Sequence, residues 1–172
     1  MKNKGFTLVE LLVVMAILGV LVTLVAGGFR TSQMRGRDGK RKSDLREIAN
    51  SLEIFLSDHG EYPDDSAGGR IQACPYDPSL GSGDCSWGSS EFTDGQTVYF
   101  KILPADPVSS QSYIYRIVPG SSNQKFQLFA RLENPEDLNC LGGDCASPPV
   151  AYSCGTGTCN FAVTSPNTSP TE

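Results

Sequence analysis

The sequence predicts an α+β protein in which a long N-terminal transmembrane and stalk helix packs against a small antiparallel β-sheet. Three observations predict it: a charge-free apolar run over residues 11–29, an apolar stripe at helical spacing from Leu45 to Leu56, and short strand-like segments beyond residue 97.

The apolar run holds nineteen residues without a charge. At about 1.5 Å per helical residue it crosses about 30 Å of hydrocarbon, enough for one membrane span. Directly before it stands Glu10, inside an apolar segment that begins at Phe6, behind the basic leader Met1-Lys2-Asn3-Lys4-Gly5. A carboxylate at hydrocarbon depth costs about 2.5 to 3.5 kcal/mol on insertion scales, so Glu10 needs a shallow position, a proton or a cationic partner. Snorkelling near the helix end is the plain alternative. The helix start is expected to aim its own donors away from this side chain.

Beyond the span, Leu45, Ile48, Ala49, Leu52, Phe55 and Leu56 recur at helical spacing among Arg46, Glu47, Asn50 and Glu53, and Asp58-His59-Gly60 supplies a stop. A helix over residues 6–57 would be about 78 Å long. Gly36 and Gly39 each weaken it by about 1 kcal/mol relative to alanine, and local melting or bending is expected between Gly27 and Gly39. Gly19 and the Gly27-Gly28 pair are possible packing points in the membrane. The basic stem (Arg30, Arg35, Arg37, Lys40, Arg41, Lys42 and Arg46) reads as a solvated stalk, or as a surface for anionic lipid or the acidic faces of neighbouring copies.

Three strands are expected over residues 98–103, 113–118 and 126–132, separated by the turns Pro104-Ala105-Asp106-Pro107 and Pro119-Gly120-Ser121-Ser122. Phe129 interrupts the alternation of the last. Residues 64–97 read as an irregular excursion. The division is therefore a leader over 1–5, the helix over 6–57, a head over 58–163 and a flexible tail over 164–172, in which a charge at Ser165 is expected to be harmless. Asn167-Thr168-Ser169 fits a glycosylation acceptor pattern.

Charge is unevenly distributed. Residues 1–46 carry nine Lys/Arg against three Asp/Glu, and residues 47–172 carry five against sixteen. An acidic head opposes general affinity for nucleic acid. All six cysteines lie beyond residue 73, pointing to an exported, oxidising compartment. Sequence neighbours invite the pairs Cys74 with Cys85, Cys140 with Cys145 and Cys154 with Cys159, among about fifteen possible pairings. Zinc is the rival reading, but the C-x4-C spacings miss the C-x2-C knuckle. The positive-inside rule would hold the basic stem in the cytoplasm, against the location the cysteines indicate.

Catalysis finds no constellation here. The lone histidine, His59, follows Asp58 at a helix end and reads as a solvated cap residue, and no glycine-lysine phosphate loop is present. A single-pass receptor with an acidic binding head is a third class, which leaves the Gly5/Phe6 junction and Glu10 unexplained.

The segment Lys4-Gly5-Phe6-Thr7-Leu8-Val9-Glu10-Leu11-Leu12-Val13-Val14 resembles the processing and assembly segment of type IV pilins and type II secretion pseudopilins. The resemblance implies cleavage after Gly5 by a prepilin peptidase, methylation of the new amino terminus at Phe6, and pairing of Glu10 with the amino terminus of an adjoining subunit. Asp44-Leu45-Arg46-Glu47-Ile48-Ala49-Asn50-Ser51-Leu52-Glu53-Ile54-Phe55, Asp58-His59-Gly60-Glu61-Tyr62-Pro63 and Leu103-Pro104-Ala105-Asp106-Pro107-Val108 are similar to a bacterial major-pseudopilin-like head. Implied partners are copies of the chain in a helical filament, an inner-membrane assembly platform, and minor pilins or pseudopilins. Implied localisation is single-pass in the inner membrane, then in a filament with the head outside the cytoplasm. The implied function is a structural subunit of a type IV pilus-like filament, with a secretion pseudopilin or a DNA-uptake pseudopilin as alternatives.

The chain departs from the secretion branch in two places. Val108-Ser109-Ser110-Gln111-Ser112 lacks a tryptophan-glycine continuation, and the cysteine-rich end replaces a calcium-loop ending. Asp137, Asn139 and Asp144 are candidate oxygen ligands for calcium, and no other cofactor is implied.

Overall fold

A computed structural model describes residues 5–172; the leader residues 1–4 lie outside it, and of residues 24–27 only the helical backbone is described. One helix, α1, runs unbroken over Leu8–His59. Thr7 caps its start, and Gly60 ends it in the left-handed conformation (φ 80°) with its N–H on the Leu56 carbonyl at 2.8 Å. That backbone angle is one glycine adopts freely, so the stop falls at Gly60. The helix is continuous through Gly28, Gly36 and Gly39, so the expected local melting does not occur there. Asp38 and Arg41 are buried against the head, so tertiary contacts override the weak helix propensity of Gly36 and Gly39.

The strands are β1 (Phe92–Thr93), β2 (Val98–Phe100), β3 (Ile114–Ile117), β4 (Phe126–Ala130) and β5 (Phe161–Thr164), with a 3-10 turn at Leu141–Gly143. Two separate antiparallel sheets result, β1-β2 and β3-β4-β5. The segment at 98–103 therefore pairs with Phe92 and Thr93 instead of joining the main sheet, whose third strand is β5. In register, Leu128 stands opposite Tyr115 on one side and Val163 on the other.

Leu45, Ile48, Leu52 and Phe55 of α1 are fully buried with Tyr115, Phe126 and Leu128 of the sheet and with Tyr113 just before β3. Every residue of β4 is buried. Phe126, Leu128 and Ala130 belong to the helix-facing core, whereas Phe129 packs with Val150, Cys154 and Cys159 in a second cluster. The cysteine-bearing C-terminal segment thus covers the back of the sheet. That layer is why Phe129 departs from a one-sided alternation.

The C-terminal residues belong to this layer as well. Thr164 closes β5, Ser165 is 2% exposed with its Oγ accepting the Phe126 N–H at 3.1 Å, and the Gln127 side-chain amide donates to the Ser169 carbonyl at 2.7 Å. The sequence pattern reads these positions as a mobile tail because Ser, Thr and Pro carry no periodic apolar signal. Leu52→Asp is expected to cost about 3 to 5 kcal/mol, since it buries an unpaired charge in place of a core side chain. Ser165→Asp is expected to be clearly destabilising too, contrary to the sequence expectation, while exposed Ser109→Asp stays within about 0.5 kcal/mol. Urea unfolding of the detergent-solubilised chain measures all three; a neutral Ser165→Asp would remove the tail from the core.

Candidate assembly site

Two places in the chain concentrate polar groups where apolar ones would be ordinary. The first is the start of α1. Phe6 is 84% exposed, and no described side chain between residues 5 and 23 is buried. Thr7 and Glu10 form a capping box: the Glu10 N–H donates to Thr7 Oγ1 at 3.2 Å, and Glu10 Oε2 accepts the Thr7 N–H at 2.8 Å and the Thr7 hydroxyl at 2.7 Å. The helix start therefore aims its donors at Glu10, not away from it. Reciprocal capping satisfies one backbone N–H on each side and brings the carboxylate back onto the Thr7 amide, one residue after Phe6. Only Oε2 is used; Oε1 takes no hydrogen bond among the described residues.

The second is the base of the head, where the Arg37 to Asp44 part of the stem forms a clamp, while Arg30, Arg35 and Arg46 stay exposed. Arg41 is fully buried. Its guanidinium forks onto Asp106, Nε to Oδ2 at 2.7 Å and an Nη to Oδ1 at 2.8 Å, reaches Asp38 at 2.8 Å and lies 2.8 Å from Glu133. Asp38 also accepts the backbone N–H groups of Glu133 and Asn134, each at 2.9 Å. Arg37 pairs with Glu133, and Lys42 holds Asp137 at 2.6 and 2.8 Å. Asp44 accepts the Tyr113 hydroxyl at 2.7 Å and the Lys40 ammonium at 3.1 Å.

Burial opposes charge on Arg41, yet Asp106, Glu133 and Asp38 outweigh it and raise its pKa above the ordinary arginine value. Arg37 holds Glu133 below the usual carboxylate range against the effect of burial, with Arg41 assisting. Burial and the bond to Asp44 push the Tyr113 phenol up. Three segments far apart in sequence, the stem, the Asp106 turn and the Glu133 turn, are thus locked at one point of the helix.

The cysteines join as Cys74–Cys85, Cys140–Cys145 and Cys154–Cys159. Cys154–Cys159 pins the layer behind β4, whereas Cys140–Cys145 packs with the helix-facing core. The calcium candidates Asp137, Asn139 and Asp144 are each engaged by groups of the protein itself. Both oxygens of Asp137 face the Lys42 ammonium, Asn139 donates to Asp137, and Asp144 accepts the Ala146 N–H at 2.8 Å. Among the described residues no group of three or more His, Cys, Asp or Glu side chains is placed to hold a metal. A lysine already neutralising the strongest donor is a poor fit to a divalent cation.

His59 is not a solvated cap. Its ring stacks on Phe55 with centroids 4.3 Å apart, and Nε2 lies 3.2 Å from both Asp94 Oδ2 and the Tyr99 hydroxyl. Backbone N–H groups of Thr97 and Gln96 lower the Asp94 carboxyl to about 2, with Tyr99 and His59 adding to the effect. The cluster fastens the β1-β2 hairpin to the end of α1. Asp38, Arg41, Asp106 and Glu133 had one legible signal: positions 38 and 41 continue the three-four spacing of 45, 48, 52 and 55.

Comparison with known proteins addresses both ends of the chain. The family model of the prokaryotic N-terminal methylation motif matches residues 1–26. The type II secretion system core protein G of Pseudomonas aeruginosa is 30% identical over 143 residues, covering 83% of this chain and 85% of that protein. Its Escherichia coli counterpart is 32% identical over 107 residues, 62% of this chain and 67% of the relative. The type IV major pilin protein PilA of Myxococcus xanthus is 32% identical over 89 residues, 49% of this chain and 40% of the pilin. No solved structure matches the chain. With an exposed apolar helix behind a methylation motif, and a head aligned along most of its length, the chain belongs to the type IV pilin and type II secretion pseudopilin superfamily.

Proposed function

We propose that the chain is a structural subunit of a type IV pilus-like filament, cleaved after Gly5 by a prepilin peptidase and methylated at Phe6. The subunit is stored in the inner membrane through α1 and then packed into a filament with its head outside the cytoplasm. The observation that carries this reading is Glu10, exposed at the head of a helix whose described apolar side chains over residues 8–23 are all uncovered by the protein's own head.

In a membrane those side chains meet lipid; in a filament they meet the helices of other copies. Cleavage after Gly5 turns the Phe6 nitrogen from a peptide amide into an amine. That cation suits the free Oε1 of Glu10 on a neighbouring copy, because pairing offsets the desolvation of both charges. Contacts between unlike surfaces repeat without closing, which is the geometry of a filament. Partners in this reading are further copies, the peptidase, an assembly platform that supplies the work of extraction, and minor subunits.

The second reading is a type II secretion pseudopilin, whose filament stays within the cell envelope. It is favoured by the alignment with the Pseudomonas aeruginosa core protein G, which runs through the head. Mass analysis of the native chain is expected to find an N-terminus at methylated Phe6, and imaging of labelled cells is expected to show filaments that vanish without the assembly components. An intact leader on the functional protein would overturn both readings. Filaments confined to the envelope would select the second.

A further inference from the structure

Seven cations follow the apolar run, and the structure divides them by position. Arg37, Lys40, Arg41 and Lys42 each lie within 3.1 Å of a carboxylate. Arg30 and Arg35, nearest the span, are exposed and have no ion-pair partner among the described residues. Arg46, also unpaired, is farther along α1 beside Val163 and Pro166 of the head.

Axial distance gives the two free arginines a common setting. When residues 11–29 fill a hydrocarbon core about 30 Å thick, Arg30 falls at its edge and Arg35 about 7.5 Å farther out. Each headgroup layer is about 5 to 8 Å deep, so both guanidinium groups fall within it. The paired cations begin two residues later. Glu10, twenty residues before Arg30, falls about 30 Å away at the opposite hydrocarbon edge, which limits the cost of its charge.

Direction around the helix separates lipid from a protein neighbour. Five residues turn an α-helix by about 140° beyond a full revolution, so Arg30 and Arg35 point to different sides. A second copy packed along one face would meet one of them, whereas a headgroup layer surrounds the helix. Guanidinium also matches phosphate oxygens in a two-pronged hydrogen bond.

We propose that Arg30 and Arg35 bind phospholipid phosphates on the exported side of the membrane, fixing the depth at which the stored subunit sits. This rests on the membrane-storage reading above. The phosphates hold the head with its clamp clear of the headgroups, and extraction into a filament must release them.

The test is solid-state NMR on the full chain carrying arginine labelled with carbon-13 at Cζ, reconstituted dilutely in phosphatidylcholine vesicles, with dephasing of Cζ by phosphorus-31 as the readout. Wild type and Arg46→Gln are expected to show dephasing, and Arg30→Gln/Arg35→Gln to fall to background. Dephasing that survives in the double variant, or is missing from wild type, overturns the proposal. So does a contact from these Cζ atoms to carboxylates of a differently labelled copy in place of phosphorus. Flotation with the vesicles is scored separately: a chain that floats without dephasing defeats only the lipid contact, whereas one that does not float defeats membrane storage and this inference together.

Discussion

Arg41→Ala is expected to destabilise the folded head by about 3 to 5 kcal/mol, because it leaves buried carboxylates without the cation that neutralises them. Asp106 loses both prongs of its fork, and Asp38 keeps only the N–H groups of Glu133 and Asn134. Arg41→Lys restores a charge at the site. It cannot reproduce the planar fork, so an intermediate loss is expected. Pairing Arg41→Ala with Asp106→Ala separates the contact from the penalty of an orphaned charge: the double variant is expected to be more stable than the sum of the single losses. Urea unfolding of the detergent-solubilised chain, followed by near-ultraviolet circular dichroism, provides the measurement. A loss under about 1 kcal/mol for Arg41→Ala would show that water replaces the clamp and that the head is not anchored there.

The clamp matters to function through geometry. Hydrophobic burial of Leu45, Ile48, Leu52 and Phe55 is non-directional and would tolerate some sliding of the sheet along α1. Bonds with fixed donor and acceptor positions remove that freedom at the end of the head nearest the membrane. A subunit that must repeat identically along a filament needs one angle between head and stem, and three segments meeting on Arg41 supply it. The His59 cluster with Asp94 and Tyr99 fastens the other end of the interface.

How far the sequence discloses this arrangement depends on whether a signal is local. The long helix is legible because residues 11–29 lack charge and residues 45–56 repeat at helical spacing, both properties of adjacent residues. Strands β3 and β4 are legible for the same reason. Strand β5 is not, since Phe161-Ala162-Val163-Thr164 is short and follows a disulfide loop, and its place is settled by pairing with β4. Residues 98–103 carry strong strand propensity yet sit outside the main sheet, because propensity is silent about partners. The clamp is the largest omission. Asp38 and Arg41 occupy core positions of the helical stripe while looking like members of a solvated basic stem, and only their distant carboxylate partners make burial affordable. At the assembly site, Gly5, Phe6 and Glu10 are legible as a motif, but the capping box is visible only once Thr7 is seen to sit at the helix boundary.

That boundary gives Glu10 two separable tasks, and its substitution is expected to have the largest effect on assembly. Glu10→Ala should insert into membranes at least as well as wild type, since it removes a charge from the edge of the span. It should reduce filament yield by about a hundredfold or more, the scale expected when one partner of a desolvated ion pair is lost. The capping box supplies a competing explanation, because alanine also removes the acceptor for the Thr7 N–H, worth about 1 kcal/mol of helix start. Glu10→Gln distinguishes the two. Its side-chain carbonyl can still accept from Thr7, so the cap survives while the charge is gone. Glu10→Gln should therefore fail in assembly nearly as completely as Glu10→Ala, and Thr7→Val, which removes the capping hydroxyl and keeps the carboxylate, should assemble within about tenfold of wild type. Sedimentation and imaging of filaments from cells making each variant as the sole subunit decide between them. If Glu10→Gln assembles normally while Thr7→Val fails, the carboxylate serves its own helix, and an amine of the neighbouring copy has no part in joining the subunits.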